Sequence, residues 1–548
     1  MNEGGRLLLT GDEAVAQAAA DGGVALGTGY PGTPSTEILE YFQILGGRAQ
    51  WAPNEKVALE VAIGVAFAGA RALATMKHVG LNVAADPFFS AAYTGVVGGL
   101  VVVTADDPGM ASSQNEQDNR RYAVAAGAPM LEPSDSQECY DLTLVALELS
   151  ERWRVPVLLR LTTRICHSKT VVRSRRVKRS GATPRYQRDI RGRVMVPANA
   201  RPAHRRLCQK LAEIDAWNES SDLNRIRPGD RQLGIVTSGV SYVHVCEAAP
   251  DARILKLTMT HPLPTGRIRA FAESVDRCHV IEEGDPYLAD AIRAAGIGVE
   301  SAPTIYRFGE LNVNRVRRIL AGDTAPEPEL PRGKSPALCP ACPHRGVYAV
   351  LSRLDCIVAG DIGCYSLGAL PPYEAMDTCV CMGAALGVGL GLRHVLPETE
   401  ARRVVSVIGD STFVHSGITG LVEMAYNPPP TGHVVIILDN ATTAMTGLQE
   451  HPGTGRKLDH SPTARLVLED LARAVGIANV HVLDPTTDNA HLEALLRDAL
   501  ARDELTVIVA RRPCVLAAGK IKQYERDAAA KSAASTCKHA PARRGGQK

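Results

Sequence analysis

Aromatic residues make up only 4% of this 548-residue chain, too few for the ring-rich core of a β-sandwich. The formal net charge is +2, so no whole-molecule field draws in nucleic acid or a membrane surface. The sequence has no stretch of about 20 uninterrupted apolar residues, which argues against a membrane span. The opening "MNEGGRLLLTGDEAVAQAAADGG" lacks the basic segment and long apolar run of an export signal. These absences predict a cytoplasmic protein with neither nucleic acid nor membrane as partner. The 13 cysteines are then not expected to form a disulfide framework, and clustered ones read better as metal or redox ligands.

What is present is ordinary for a globular chain: 45% hydrophobic and 22% charged residues, with 49 glycines and 34 prolines. That composition favours α/β architecture with many tight turns. The length implies about three or four units. Charge is uneven along the chain. Residues 167–206 hold 13 Lys/Arg against one Asp, and the tail from Lys520 holds eight against two acids. Such runs fit a solvated linker and a disordered tail, or a polyanion or acidic partner.

Residues 1–165 alternate short apolar runs with helix-length segments: "GVALGTGYPGTPS", "NEKVALEVAIGVAFAGARALATMKHVG", "GGLVVVTADD", "VPVLLRLTTR". This predicts βαβ units on a parallel sheet. Residues 166–230 are basic and weakly periodic, and read as a linker or an arm laid over another surface. The alternation resumes in a small α/β unit over 231–323, breaks at a Pro/charge linker over 324–336, and resumes again over 337–519. Residues 520–548 read as a basic, disordered tail.

The segment "VIGDSTFVHSGITGLVEMAYNPPPTGHVVIILDNATTAMTG" carries the chemistry. An apolar run ends in Gly409-Asp410-Ser411, and after about 27 further residues a second ends in Asp439-Asn440. In open α/β sheets the carboxyl ends of strands form the ligand crevice, so both oxygen-bearing side chains belong to one rim. Oxygen ligands suit Mg²⁺ completed by phosphate and water, and the segment after Ser411 reads as a helix whose first amides face phosphate. This is the pattern of thiamine diphosphate binding; the alternative is an ordinary crossover with polar turn residues.

The surrounding strings narrow the choice. "GYPGTPSTEI" (29–38), "NEKVALEVAIGVAFAGARALATMKHVGLNVAADP" (54–87), "ADDPGMASSQNEQDNRRYA" (105–123), "LGIVTSGVSYVHV", "CPACPHR", "GDIGCYSLG", "MDTCVCMGAALG" and "STFVHSGITGL" together resemble the 2-oxoacid:ferredoxin oxidoreductase superfamily, in particular the indolepyruvate type's large subunit. The resemblance spans about residues 5–515. It implies a multidomain α/β thiamine-diphosphate fold with two parallel-sheet domains, pyrimidine-binding (1–165) and diphosphate-binding (337–519), plus a small transketolase-C-terminal-like domain. The thiamine sites of the family lie between the first two kinds of domain.

Residue by residue, the resemblance implies that Asp410, Asn440 and the Thr442 carbonyl hold Mg²⁺ against the diphosphate, flanked by Gly409 and Ser411. Glu55 matches the glutamate that bonds the aminopyrimidine ring and drives proton removal from the cofactor. Its alternative is a first-turn Glu favoured by the helix dipole. Thr33 matches the residue that lines the substrate, although Pro-Gly-Thr-Pro is turn chemistry in any case. Arg120 or Arg121 would pair the substrate carboxylate, and Lys77 and His78 either line the same pocket or face solvent.

Oxidation to an acyl-CoA removes two electrons, one at a time, and so calls for a nearby cluster. Cys339-Pro-Ala-Cys342, Cys364 and Cys514 supply four thiolates for a [4Fe-4S] cluster; structural zinc and buried free thiols stay open as alternatives. Cys379 and Cys381 read as core residues at a helix start. Typical members of the indolepyruvate type end in two runs of C-x-x-C-x-x-C-x-x-x-C-P, which this sequence lacks, since only Cys537 follows Cys514. Three weaker signals are set aside: "GVGLGLRHVL" (387–396) is no dinucleotide fingerprint, "EEGDP" (282–286) is a loop or domain contact, and "HPGTG" (451–455) is a turn near the site.

The resulting expectation is CoA-dependent oxidative decarboxylation of an aryl-2-oxoacid on thiamine diphosphate. The partners would be a smaller, beta-type subunit and ferredoxin or another acceptor, in a dimer of heterodimers with the basic 167–206 segment at an interface. The alternatives are a non-oxidative decarboxylase and a non-catalytic assembly subunit of the same fold.

Overall fold

A computed structural model describes residues 5–175, 183–327 and 336–538. The chain divides into two units, Met1–Leu330 and Pro331–Lys548.

The first unit is built on a seven-stranded sheet in the order Met259–His261, Met130–Leu131, Val157–Thr162, Leu100–Asp106, Ala72–Lys77, Leu26–Gly29, Ala49–Trp51. All neighbours are parallel except the first pair. The central strand, LVVVTAD, is buried at every position, as a parallel strand covered on both faces must be. Helix Glu55–Phe67 starts where the Asn54 side chain accepts the Val57 amide at 2.9 Å. Helix Gly11–Asp21 starts with a capping box between Thr10 and Glu13, which satisfies two otherwise orphaned amides.

The small α/β region has its own five-stranded sheet, in the order Glu300–Ser301, Cys278–Ile281, Asp230–Ser238, Ala252–Leu257, Arg225–Arg227. Its strand Met259–His261 nevertheless completes the large sheet, and Val236, Leu255, Ile268 and Phe271 share a core with Ala74, Val102 and Leu158. The two sheets of this unit therefore fold around common apolar surface.

Of the two readings of residues 166–230, a linker or an arm laid over another surface, the plain linker is corrected. Residues 176–182 lie outside the described residues, but Thr170–Arg173 pairs antiparallel with Arg6–Leu9, and Pro197–Glu219 is a 23-residue helix. Ala203, Leu207 and Ile214 on that helix are buried, and Leu207 and Ile214 enter the core beneath the large sheet. Their helical spacing is hidden in the sequence by the arginines and lysines of the solvent face.

The second unit carries a six-stranded, fully parallel sheet in the order Thr378–Cys379, Ile357–Gly360, Val404–Gly409, His433–Asp439, Leu505–Arg511, Asn479–Leu483. The expected disordered tail is also corrected. Ala518–Lys538 is helical, and Tyr524 stacks on His460 with ring centroids 3.9 Å apart. Residues 539–548, and residues 328–335 of the expected second linker, lie outside the described residues. Among the described residues no helix is long and apolar enough to cross a membrane.

Candidate active site

The two strand ends singled out by the sequence lie side by side. Val404–Gly409 and His433–Asp439 are neighbouring parallel strands, so Asp410 and Asn440 emerge at the same rim. Asp410 is buried, and its Oδ1 accepts the Ser411 amide at 2.8 Å. Its Oδ2 takes the Ala441 amide at 2.9 Å and lies 3.2 Å from His451 Nε2. Ala441 has a φ of +61°, and this left-handed turn folds the chain after the strand back over Asp410. Asn440 Oδ1 accepts the Thr442 amide at 3.1 Å, and Thr443 Oγ1 donates to Ser411 Oγ at 2.9 Å. Burial opposes charge on Asp410, yet His451 and the Ser411 amide hold its carboxyl below the ordinary value.

This rim offers the Asp410 carboxylate, the Asn440 amide oxygen and main-chain carbonyls, an all-oxygen donor set that fits a hard cation. Beyond Asp410 the chain runs through a π-helical turn, Phe413–Gly417, into helix Ile418–Tyr426, as π-turns at functional sites often do. Asp361, at the end of the neighbouring strand, accepts the amides of Gly383 (3.0 Å) and Ala385 (3.0 Å). It thereby caps helix Ala384–Val395, and burial raises its carboxyl to about 6.

Cys339, Cys342, Cys364 and Cys514, spread over 175 positions, line one cavity together with His344 and Asn440. The Cys342 amide donates to the Cys339 carbonyl at 3.0 Å, closing the C-x-x-C turn. The Cys514 amide donates to the Asn440 carbonyl at 2.9 Å. Burial, then the neighbouring Cys514, Cys342 and Cys339, pushes the Cys364 thiol up to about 11, and burial with Cys339 and Cys514 also raises Cys342. Among the described residues no three of these sulfur atoms lie within 4.8 Å of one another. Cys379 and Cys381 are exposed and form no part of the core, because Thr378–Cys379 is an edge strand.

In the first unit the carboxyl ends of the parallel strands gather the other predicted residues. Glu55 is buried at the start of its helix. A Cβ on Gly80 would lie 2.7 Å from its Oε1, so only glycine leaves room for this carboxyl. Thr33 sits in the loop after strand Leu26–Gly29, where a Cβ on Gly32 would meet the Lys77 stem at 3.2 Å. Lys77 ends its strand and donates to the Ser112 carbonyl at 3.1 Å. Burial lowers its ammonium pKa against the pull of Asp107 and Glu55. His78 is buried with Nε2 3.0 Å from the Asn115 carbonyl oxygen, and burial lowers its pKa too.

Arg120 requires a correction. It is fully buried and committed to Asp118 (2.6 Å), Glu282 (2.7 Å) and the carbonyls of Glu283 (3.2 Å) and Asp285 (2.9 Å), with its guanidinium over the Tyr287 ring. It joins the large sheet to the "EEGDP" loop, and this buried ion network holds its guanidinium. Arg121 is exposed. His344, His451 and Asp361 were not singled out from the sequence; Asp361 follows the apolar strand Ile357–Gly360, the signal that found Asp410, whereas neither histidine follows an apolar run.

Residues 361–510 match the family described as "Thiamine pyrophosphate enzyme, C-terminal TPP binding domain". Residues 17–207 match "Pyruvate flavodoxin/ferredoxin oxidoreductase, thiamine diP-bdg". Two parallel sheets with these domains define a thiamine-diphosphate-dependent 2-oxoacid oxidoreductase. The indolepyruvate oxidoreductase subunit IorA of Archaeoglobus fulgidus is 38% identical over 562 residues, covering 95% of this chain and 89% of that one. Its counterpart from Methanothermobacter marburgensis is 40% identical over 554 residues, covering 95% and 88%. The chain belongs to the IorA family of indolepyruvate oxidoreductase subunits. A solved structure, the 2-oxoglutarate:ferredoxin oxidoreductase from Magnetococcus marinus with 2-oxoglutarate, coenzyme A and succinyl-CoA bound, shares the fold, with a TM-score of 0.51, 18% identity, and 58% of this chain and 65% of that one covered.

Proposed function

We propose that this chain decarboxylates an aryl-2-oxoacid oxidatively, transfers the acyl group to CoA, and passes the electrons out through an iron–sulfur cluster on Cys339, Cys342, Cys364 and Cys514. The overall balance is one 2-oxoacid anion and one CoA thiol giving acyl-CoA, CO₂, a proton and two electrons. The observation that carries this reading is the shared cavity: four distant cysteines meet beside Asn440, and Cys514 bonds to that residue's own carbonyl.

Thiamine diphosphate, when bound, supplies the electron sink that makes loss of CO₂ from a 2-oxoacid feasible. Asp410, Asn440 and the Thr442 carbonyl would hold Mg²⁺ beside the diphosphate. His451 keeps Asp410 ionised and oriented. Glu55, packed against Gly80, would be the residue that hydrogen-bonds the aminopyrimidine ring. Thr33 faces the substrate ketone, and Lys77, with its pKa lowered by burial, takes over the carboxylate role expected of Arg120. The names of the relatives, each a subunit, support a partner chain, and a ferredoxin-type acceptor suits one-electron transfer.

Viologen reduction by the anaerobically prepared protein with its partner tests this reading. Arylpyruvates should support it only when CoA is present. Aldehyde formed without CoA or acceptor would instead favour a non-oxidative decarboxylase.

A further inference from the structure

A second constellation lies apart from every residue assigned above. Asp12 is in the first turn of helix Gly11–Asp21, Glu37 is in the first turn of helix Thr36–Ile44, and His167 ends the short helix Thr163–His167. One ligand atom from each lies within 4.8 Å of the other two. Glu37 and His167 are exposed, whereas Asp12 is fully buried, and neither of its carboxylate oxygens has a hydrogen-bond partner.

Helix capping does not account for Asp12. The cap of its helix is closed by Thr10 and Glu13, whose side chains accept each other's amides at 3.1 and 2.8 Å. The Cys166 thiol beside it is a weak donor. Burying a carboxylate without a donor is costly, and the second carboxylate of Glu37 adds like charge. Burial, with Glu37 beside it, holds the Asp12 carboxyl well above its ordinary pKa, so a proton or a cation must sit between the two oxygens. The pair opens to solvent through Glu37 and His167, so an ion can enter from outside.

We infer that Asp12, Glu37 and His167 form a divalent-cation site of two carboxylates and one imidazole, with water completing the shell. The donor set suits Mn²⁺ or Zn²⁺, since carboxylates favour the first and imidazole the second. The ion would tie three helix ends together at the rim of the large sheet, and one of them follows the Thr33 loop directly.

Mn²⁺ is the probe of choice, because thiolates select softer ions and the cysteine cavity is left aside. Full-length protein carrying Asp410→Asn, without thiamine diphosphate, is titrated with Mn²⁺ while the free ion is followed by electron paramagnetic resonance. The expected result is one bound Mn²⁺ per chain and a melting temperature that rises with Mn²⁺. Adding Asp12→Asn should abolish both effects. Adding the surface change His167→Gln, which leaves the core untouched, should weaken binding by roughly tenfold or more. Lack of stoichiometric binding, or equal affinity with and without His167→Gln, would overturn the site and leave a proton shared by Asp12 and Glu37 as the neutralising charge.

Discussion

Replacing Arg120 with alanine should destabilise the first unit rather than weaken substrate binding. The guanidinium serves Asp118, Glu282 and two main-chain carbonyls from a fully buried position. After truncation Glu282 keeps the amides of Leu288 and Ala289, at 2.8 and 2.9 Å. Asp118 keeps the main-chain amide of residue 120 at 3.1 Å and Arg160 at 3.9 Å. Breaking a buried pair by removing one partner costs about 3–5 kcal/mol; the Glu283 carbonyl loses its guanidinium donor, while the Asp285 carbonyl keeps the Tyr287 amide at 2.7 Å. At about 2–4 °C per kcal/mol for a large unit, the melting temperature falls by roughly 6–20 °C. Arg120→Lys restores charge but not the planar fork, so it recovers only part of the loss. Thermal unfolding followed by circular dichroism, alongside the KM for the 2-oxoacid below the transition, separates the two roles. An Arg120→Ala protein with wild-type melting and a KM raised tenfold would refute the structural assignment.

Burial lifts the Glu283 carboxyl to about 7 from an ordinary 4.5, although its Oε2 accepts the Leu311 amide at 2.7 Å. With the folded-state pKa raised, stability is fully present below about pH 4.5 and is lost as pH climbs through 7, by about 3 kcal/mol at most. Glu283→Gln keeps an acceptor for Leu311 and should flatten that dependence in urea titrations from pH 5 to 8; an unchanged slope would count against it. Asp410→Ala should abolish Mg²⁺-dependent thiamine diphosphate binding in calorimetry with little change in melting temperature, and retention of tight binding would move the metal elsewhere. Leu207→Ala should cost about 2–4 kcal/mol, because helix Pro197–Glu219 belongs to the core; a loss below about 0.5 kcal/mol would return the segment to a surface arm.

Local pattern made the rim of the second unit legible. Asp410 and Asn440 each end an apolar strand, and a strand end in a parallel sheet has one address. The cysteines could be counted and spaced in the sequence, yet their meeting depends on the order of four strands, which no local signal carries. Arg120 shows the limit most plainly. Its partners Glu282 and Glu283 lie more than 160 positions away, so a motif reading handed it to the substrate while the fold hands it to a buried ion network. The helix over 197–219 was missed because its apolar stripe of Ala203, Leu207 and Ile214 is narrow and the other faces are crowded with arginine. His451 and His344 were hidden for a related reason, since a histidine's worth depends on what the turn beside it brings near.

The metal content of anaerobically prepared protein tests the central claim most directly. Wild type should carry about four iron and four acid-labile sulfide per chain. Cys342→Ala should lose them together with viologen reduction, while thiamine diphosphate still binds. Zinc in place of iron, or cysteines without metal in a protein that still reduces viologen with an arylpyruvate and CoA, would contradict the account.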